Sequence, residues 1–558
     1  MKLSRKDYEF NNPLICHIQP KHIDLDRVLI GLYTLLKYNG RRPAPRTGRQ
    51  EVDVDYLTRQ LIEQHGDTLQ GFRTHQGIVE DWVYSDLVDM VFRGHPDKER
   101  VASPRPLHLN AYKLRNPRYS KDYRAPEHIF SMIRAVDPGL VERLASFLGK
   151  GMDAGSQDTY DGVTRLDLDT LMIVRMIDDP HLQEKRSSEG NLPEPPLCYG
   201  QARLLCSDVR RLLAYEDVVP RPVLIDYLRS AFGLHLGLYL MRLFNQLAGW
   251  VADKAAHPVC LNCPVDPDQS DAPFAVCPFA FQCPENASPY RQLELVVDMG
   301  EDYGSHMAQL SRVSCARNYD RINDYIHAVL TVNQLFQFVG SAAGQRHLGS
   351  RPDTLPGVLQ VLSTPSQGME YYFAERIDNI LPESELEGER NEIRAVRRMQ
   401  GMSFLETFVQ LVALERTRYY RKYLTEQLDS VLMKNRDTGL LRQGKGKQNE
   451  RRWHMGGRLL EMFVQIAVLE PVGRGAGTGF RSRPILVNEF IQWLRARYGL
   501  VLAPSWPDAT IQDYDAFNGN LKNLKTRLRE IGFYTDLSDA YNAQVIRPRY
   551  SIETEAAR

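Results

Sequence analysis

Apolar residues recur along most of the chain at three- and four-residue intervals, the period of an amphipathic α-helix. Between residues 25 and 148 the pattern is carried by Leu57, Leu61 and Ile62, then by Val79, Trp82, Val83, Leu87 and Val91. Residues 41–49 (RRPAPRTGR) and 100–118, rich in proline and basic side chains, interrupt it and read as surface connections. Helical patterning returns over 164–178, 203–255 and 292–339, and again beyond 365, where the sequence also becomes basic. The most apolar stretch, 231–244, contains His235 and Arg242 and is too short to cross a bilayer of about 30 Å, so it predicts a buried helix.

Three polar or glycine- and proline-rich breaks punctuate these helices. Residues 149–162 (GKGMDAGSQDTYDG) hold four glycines, 184–196 (EKRSSEGNLPEPP) are polar, and 343–365 are again rich in glycine and proline. They predict a mainly α, multidomain chain: an N-terminal helical domain at 1–150, a central helical domain at 163–342, a basic helical region at 366–480 and a small α+β domain at 481–558. Residues 405–415 (LETFVQLVALE) and 460–470 (LEMFVQIAVLE) share seven of eleven positions. Their flanks do not match, and two similar amphipathic helices account for the echo more simply than a duplication does.

The composition is that of an ordinary soluble protein: 558 residues, 43% hydrophobic and 25% charged, which excludes wholesale disorder. The start, MKLSRKDYEFNNP, lacks the apolar run of a signal peptide, and a cytoplasmic protein is expected, with no membrane association. Seventy basic residues balance seventy acidic ones, but unevenly. Residues 416–558 hold 24 Lys and Arg against 15 Asp and Glu, while residues 1–415 hold 46 against 55. A neutral total thus conceals an acidic body and a basic end suited to nucleic acid.

Four of the eight cysteines, Cys260, Cys263, Cys277 and Cys283, fall within 24 residues as C-x2-C-x13-C-x5-C. Cysteines two residues apart can turn both sulfurs onto one cation, and a second pair returned by a loop completes a tetrahedral S4 site, the preference of structural zinc. An iron-sulfur cluster is the alternative, since the five-residue gap is wide for a zinc knuckle. A closed S4 site of this kind stabilises without catalysing. Cys16, Cys198, Cys206 and Cys315 have no such partners and read as small buried hydrophobes.

Basic residues concentrate at 416–423 (RTRYYRKY), at 434–452 and on one predicted helix at 520–531 (NLKNLKTRLREI). The last of these follows an amphipathic helix at 485–498 ended by Gly499, and precedes two short alternating stretches, 533–537 and 544–546, around SDAYNA. Helix, turn, basic helix and a two-stranded wing resemble the winged helix-turn-helix family, whose second helix enters the major groove. That resemblance implies that Lys522, Lys525, Arg527 and Arg529 face DNA, with Arg547 and Arg549 on the wing contacting phosphates. The same family also uses winged helices for protein contacts.

Known catalytic signatures are missing. Residues 439–446 (GLLRQGKG) begin like a phosphate-binding loop but carry Gly446 where the magnesium-binding Ser or Thr belongs, and 473–479 (GRGAGTG) read as a flexible loop, so no nucleotide is expected. Asp167, Asp169, Asp178 and Asp179 are explained as helix-start acids.

The cysteine cluster combined with the basic end at 416–551 is similar to components of bacterial multi-gene phage-defence systems, including the methylation-associated type. The resemblance implies a non-catalytic DNA-engaging or scaffolding subunit in antiviral defence. It would act beside separate methyltransferase, ATPase or nuclease proteins. A metal-dependent nuclease with dispersed carboxylates and a transcriptional regulator are the alternatives.

Overall fold

The computed structural model describes residues 3–43, 52–95, 97–153, 159–178, 192–254, 293–348, 351–380, 391, 393, 395–396, 399–444, 450–472, 479–504, 506, 509–534 and 544–553. It is mainly helical. Two long helices form its axis. In α8 (Arg221–Ala252) nearly every residue from Leu224 to Trp250 is buried, so the most apolar stretch of the chain is a core helix, as its length required. No helix among the described residues is long and apolar enough to cross a membrane. α9 (His306–Gly340) runs 35 residues, about 50 Å at the usual rise, and its first turn is capped by Ser305, which accepts from the Ala308 N–H at 3.1 Å.

α13 (Phe404–Val431), opened by a reciprocal Ser403–Glu406 capping box, packs on both. Gly233 and Gly237 of α8 let its C-terminal end approach closely. A Cβ at Gly233 would lie 2.6 Å from the Val431 carbonyl oxygen, and one at Gly237 would lie 2.4 Å from a Leu432 methyl.

Around this axis stand α1 (Leu25–Lys37), α2 (Val54–His65), α3 (Gln76–Trp82), α4 (Ala125–Val136), α5 (Pro138–Leu148), α6 (Leu168–Ile177) and α7 (Tyr199–Leu213) on the N-terminal side. α10 (Ala342–Leu348), α11 (Leu355–Ser363), α12 (Gln367–Ile380), α14 (Gly457–Ala467), α15 (Val487–Tyr498) and α16 (Ile511–Glu530) complete the set. One buried apolar cluster runs through all of them, from Phe10 to Ile552. Cys16, Cys198, Cys206 and Cys315 are buried within it, as expected of small hydrophobes.

Two expectations at breaks in the helical pattern are corrected. Residues 100–118 are not a surface connection. Arg100–Pro104 form strand β2, paired antiparallel with β1 (Val88–Val91), and Leu107, Leu109, Ala111, Tyr112 and Leu114 are buried. The helix read through Val91 ends at Leu87 because β-branched Val88 and Val91 belong to this ladder. Within 343–365 lies α11, where Thr354 caps the first turn and Pro356 occupies it, a position where proline starts a helix.

The remaining strands are short. β4 (Leu441–Gln443) and β5 (Arg451–Trp453) form a hairpin, as do β6 (Leu469–Val472) and β7 (Gly479–Ser482). β8 (Ile485–Leu486) pairs with β10 (Val545–Ile546). β3 (Leu295–Val296) runs parallel to β9 (Leu500–Val501). α15 ends at Gly499, which adopts φ 74°; a Cβ there would strike the Leu293 carbonyl oxygen at 2.1 Å, so only glycine lets β9 and β3 meet.

Past β3, Asp298 N–H donates to the Trp453 carbonyl at 3.0 Å. The buried Asn520 side chain of α16 clamps the same segment, accepting from Met299 N–H at 2.7 Å and donating to the Val297 carbonyl at 2.9 Å. Residues 297–304 are thereby held between the β4–β5 hairpin and α16. The two echoing segments diverge: 405–415 stay helical, whereas the second leaves α14 at Ala467 and enters β6.

Candidate nucleic-acid interface

The basic runs of the C-terminal third separate into cations that close internal ion pairs and cations that face solvent. In the first run, the Arg416 guanidinium stacks on the Tyr8 ring at 3.8 Å, and Arg421 pairs with Asp320 on the surface. Arg418 and Lys422 are exposed. In the second, Lys434 and Arg451 both bind Asp429, at 2.6 Å and 2.7 Å. Burial alone would raise the Asp429 carboxyl, but hydrogen bonds from Arg451, Lys434 and the Tyr319 hydroxyl bring it below its ordinary range.

The centre of the second run goes deeper. Arg452, fully buried, donates to Asp298 at 2.5 Å and to the carbonyls of Gly300 and Asp302, and its guanidinium lies 3.9 Å from the Tyr303 ring centre. Burial raises the Asp298 carboxyl, against the pull of the Gly300 N–H and Arg452. Beside this pair Arg442 of β4 and Arg527 of α16 both donate to the Glu301 carboxylate. His454, next to β5, faces the same two guanidiniums, its Nε2 lying 3.3 Å from Arg442 Nη1 and 3.4 Å from Arg527 Nη2. Burial first, then Arg527, Arg452 and Arg442, push this imidazole down to about 3, so it is neutral and accepts through Nε2. Burial would raise Glu301, and the Arg442 hydrogen bond and the surrounding charges outweigh it and lower it.

These groups line a cleft of about 540 Å³ together with the turn carrying Asn435, Arg436 and Asp437. Two residues of that turn are left-handed, Met433 at φ 49° and Asn435 at φ 62°. Asp437 closes it by accepting from the Gly457 and Arg458 N–H groups at 2.7 and 3.1 Å, at the start of α14.

The residues expected to face DNA divide. On α16, Leu524 and Leu528 point inward, while Lys522 and Arg529 are exposed and Lys525 is half-buried. Arg527 turns instead into the Glu301 cleft and also donates to the Met299 carbonyl at 3.0 Å. Arg547 is exposed. Arg549 pairs with Glu461, donates to the Ile531 carbonyl at 2.6 Å and lies over the Phe533 ring. α16 is longer than its basic half, starting with a Thr510–Asp513 capping box that sequence reasoning passed over.

β10 pairs with β8, and the Phe533 carbonyl accepts from Arg547 N–H at 3.1 Å. Most of the expected wing, 535–543, lies outside the described residues. Cys260, Cys263, Cys277 and Cys283 also lie outside them. Among the described residues no group of three or more His, Cys, Asp or Glu is arranged to hold a metal. Asp167 caps α6, accepting from Thr170 N–H at 3.0 Å, as a helix-start acid should, whereas Asp178 stands at the other end of that helix.

A second charged centre, in the core, anchors the C-terminal elements. Asp208 of α7 is fully buried and accepts from His235 Nε2 at 2.9 Å, from Arg497 Nη2 at 2.6 Å and from the Tyr498 hydroxyl at 2.7 Å. Gln201 accepts from Arg242 Nε at 2.9 Å, which orients its amide to donate to His235 Nδ1 at 2.7 Å and places the imidazole proton on Nε2. Nothing in the local sequence announces this network, because its members come from three helices.

No curated protein and no solved structure matches the chain. The family described as methylation-associated defense system protein MAD7 matches residues 5–550. With nearly its whole length matched, the chain belongs to that family and is a component of a methylation-associated defence system.

Proposed function

We propose that the protein is a non-catalytic, DNA-engaging or scaffolding subunit of its defence system, acting in the cytoplasm beside separate methyltransferase, ATPase or nuclease partners. The observation that carries this reading is the solvent face of α16. Lys522, Lys525 and Arg529 line it, and the helix is fixed to the body by Asn520 and Leu524.

The winged-helix reading of 481–558 and the phosphate contacts of Arg547 belong to this proposal, with Arg527 engaged by Glu301 and Arg549 by Glu461. So does structural zinc at Cys260, Cys263, Cys277 and Cys283, with an iron-sulfur cluster as the alternative. The test uses purified protein, phage DNA and Mg²⁺. A binder retains the DNA intact and releases it as salt rises. Metal-dependent cleavage abolished by Asp167→Ala or Asp178→Ala would establish a nuclease instead.

A further inference from the structure

The Glu301 cleft has the geometry of an anion site that the protein fills with its own carboxylate. Glu301 is 62% exposed, yet it is bridged by two guanidiniums from different elements, Arg442 on β4 and Arg527 on α16, with His454 Nε2 at 3.9 Å. Exposed ion pairs contribute little to stability. This one is nonetheless built on groups that are rigidly held: the hairpin, the Asn520-clamped segment and α16.

Two further features point to a ligand. Arg436, exposed and lining the cleft, makes no ion pair or side-chain hydrogen bond among the described residues, so among them it is a cation without a counterion. His454 is more than nine-tenths buried, and its Nδ1 has no hydrogen-bond partner among the described residues. Paired guanidiniums take phosphate in the same two-pronged manner as carboxylate, and about 540 Å³ accommodates a phosphate group with a substituent.

We propose that this cleft is a phosphate-binding site in which Glu301 occupies the anion's place and swings out toward solvent when a phosphate mono- or diester is bound by Arg436, Arg442 and Arg527. The site is distinct from the solvent face of α16, and its failure would leave the reading of that face untouched.

The experiment compares the full-length protein with Glu301→Gln, measuring binding of inorganic pyrophosphate by calorimetry and of a short DNA duplex by fluorescence anisotropy. Removing the competing charge should tighten phosphate binding by about tenfold, equivalent to about 1.4 kcal/mol, and adding Arg442→Gln should abolish the gain. Tightening of pyrophosphate alone assigns the site to a free phosphate compound. Tightening of the duplex, alone or together with pyrophosphate, assigns it to a nucleic-acid backbone. If Glu301→Gln, folded by circular dichroism, binds both probes as the parent does, the proposal is wrong. The same follows if Glu301→Gln with Arg436→Gln keeps the whole gain.

Discussion

Replacing Asp208 by Asn tests whether the C-terminal elements are part of one cooperative body. The substitution keeps the shape and removes the charge, leaving the Arg497 guanidinium buried opposite a neutral amide. Breaking one side of a buried charge pair typically costs about 3 to 5 kcal/mol. Burial would raise the Asp208 carboxyl, but Arg497, His235 and Tyr498 hold it at about 2, against 3.8 for a free carboxyl. That difference corresponds to about 2 kcal/mol from ionisation alone.

Because the folded-state value is depressed, this contribution is complete above pH 3.8 and is lost as pH falls through about 2. A 558-residue chain unfolding as one unit has an unfolding entropy of about 1.2 kcal/mol per kelvin. The variant should therefore melt about 3 to 4 °C lower at pH 7, and the gap to the parent should narrow below pH 4. Scanning calorimetry reads both quantities. A shift under 1 °C, or a new early transition with the main one unmoved, would refute the network as a bond between α7, α8 and α15.

Asn520→Ala leaves the buried Met299 N–H and Val297 carbonyl unpaired, and should destabilise by about 2 to 4 kcal/mol while exposing the Arg452 segment to faster hydrogen exchange. Gly233→Ala and Gly519→Ala should act with opposite sign in thermal melts. The first meets the Val431 carbonyl and costs about 1 to 3 kcal/mol, while the second meets nothing and stabilises by about 1 kcal/mol. Metal analysis should find one zinc per chain without visible absorbance; brown protein containing iron and sulfide would assign Cys260, Cys263, Cys277 and Cys283 to a cluster instead.

Much of the helical framework was legible because it depends on local period and caps. The buried stretch 231–244, the end of α15 at Gly499 and the stop of α16 at Gly532 follow from apolar spacing and from glycine at positive φ. What stayed hidden depends on long-range pairing. β2 and the buried turn after it were disguised by Pro104, Arg105 and Pro106, whose interruption masks the apolar residues on either side. The cations show the same limit. Arg452 and Arg527 look no different along the chain from Lys522 and Arg529, because the acids that bind them, Asp298 and Glu301, lie 154 and 226 residues away. Counting charge found the basic third of the chain, but only the fold divides it into a core-facing half and a solvent-facing half.

The solvent-facing half carries the central claim, and the salt dependence of DNA binding tests it most directly. Each phosphate contact contributes about 0.9 to the slope of log K against log salt. Lys522→Gln, Lys525→Gln and Arg529→Gln together should weaken DNA retention and flatten that slope by about 2 to 3, with the melting temperature unchanged. An unaltered slope in the folded triple variant would contradict the assignment of this face to DNA.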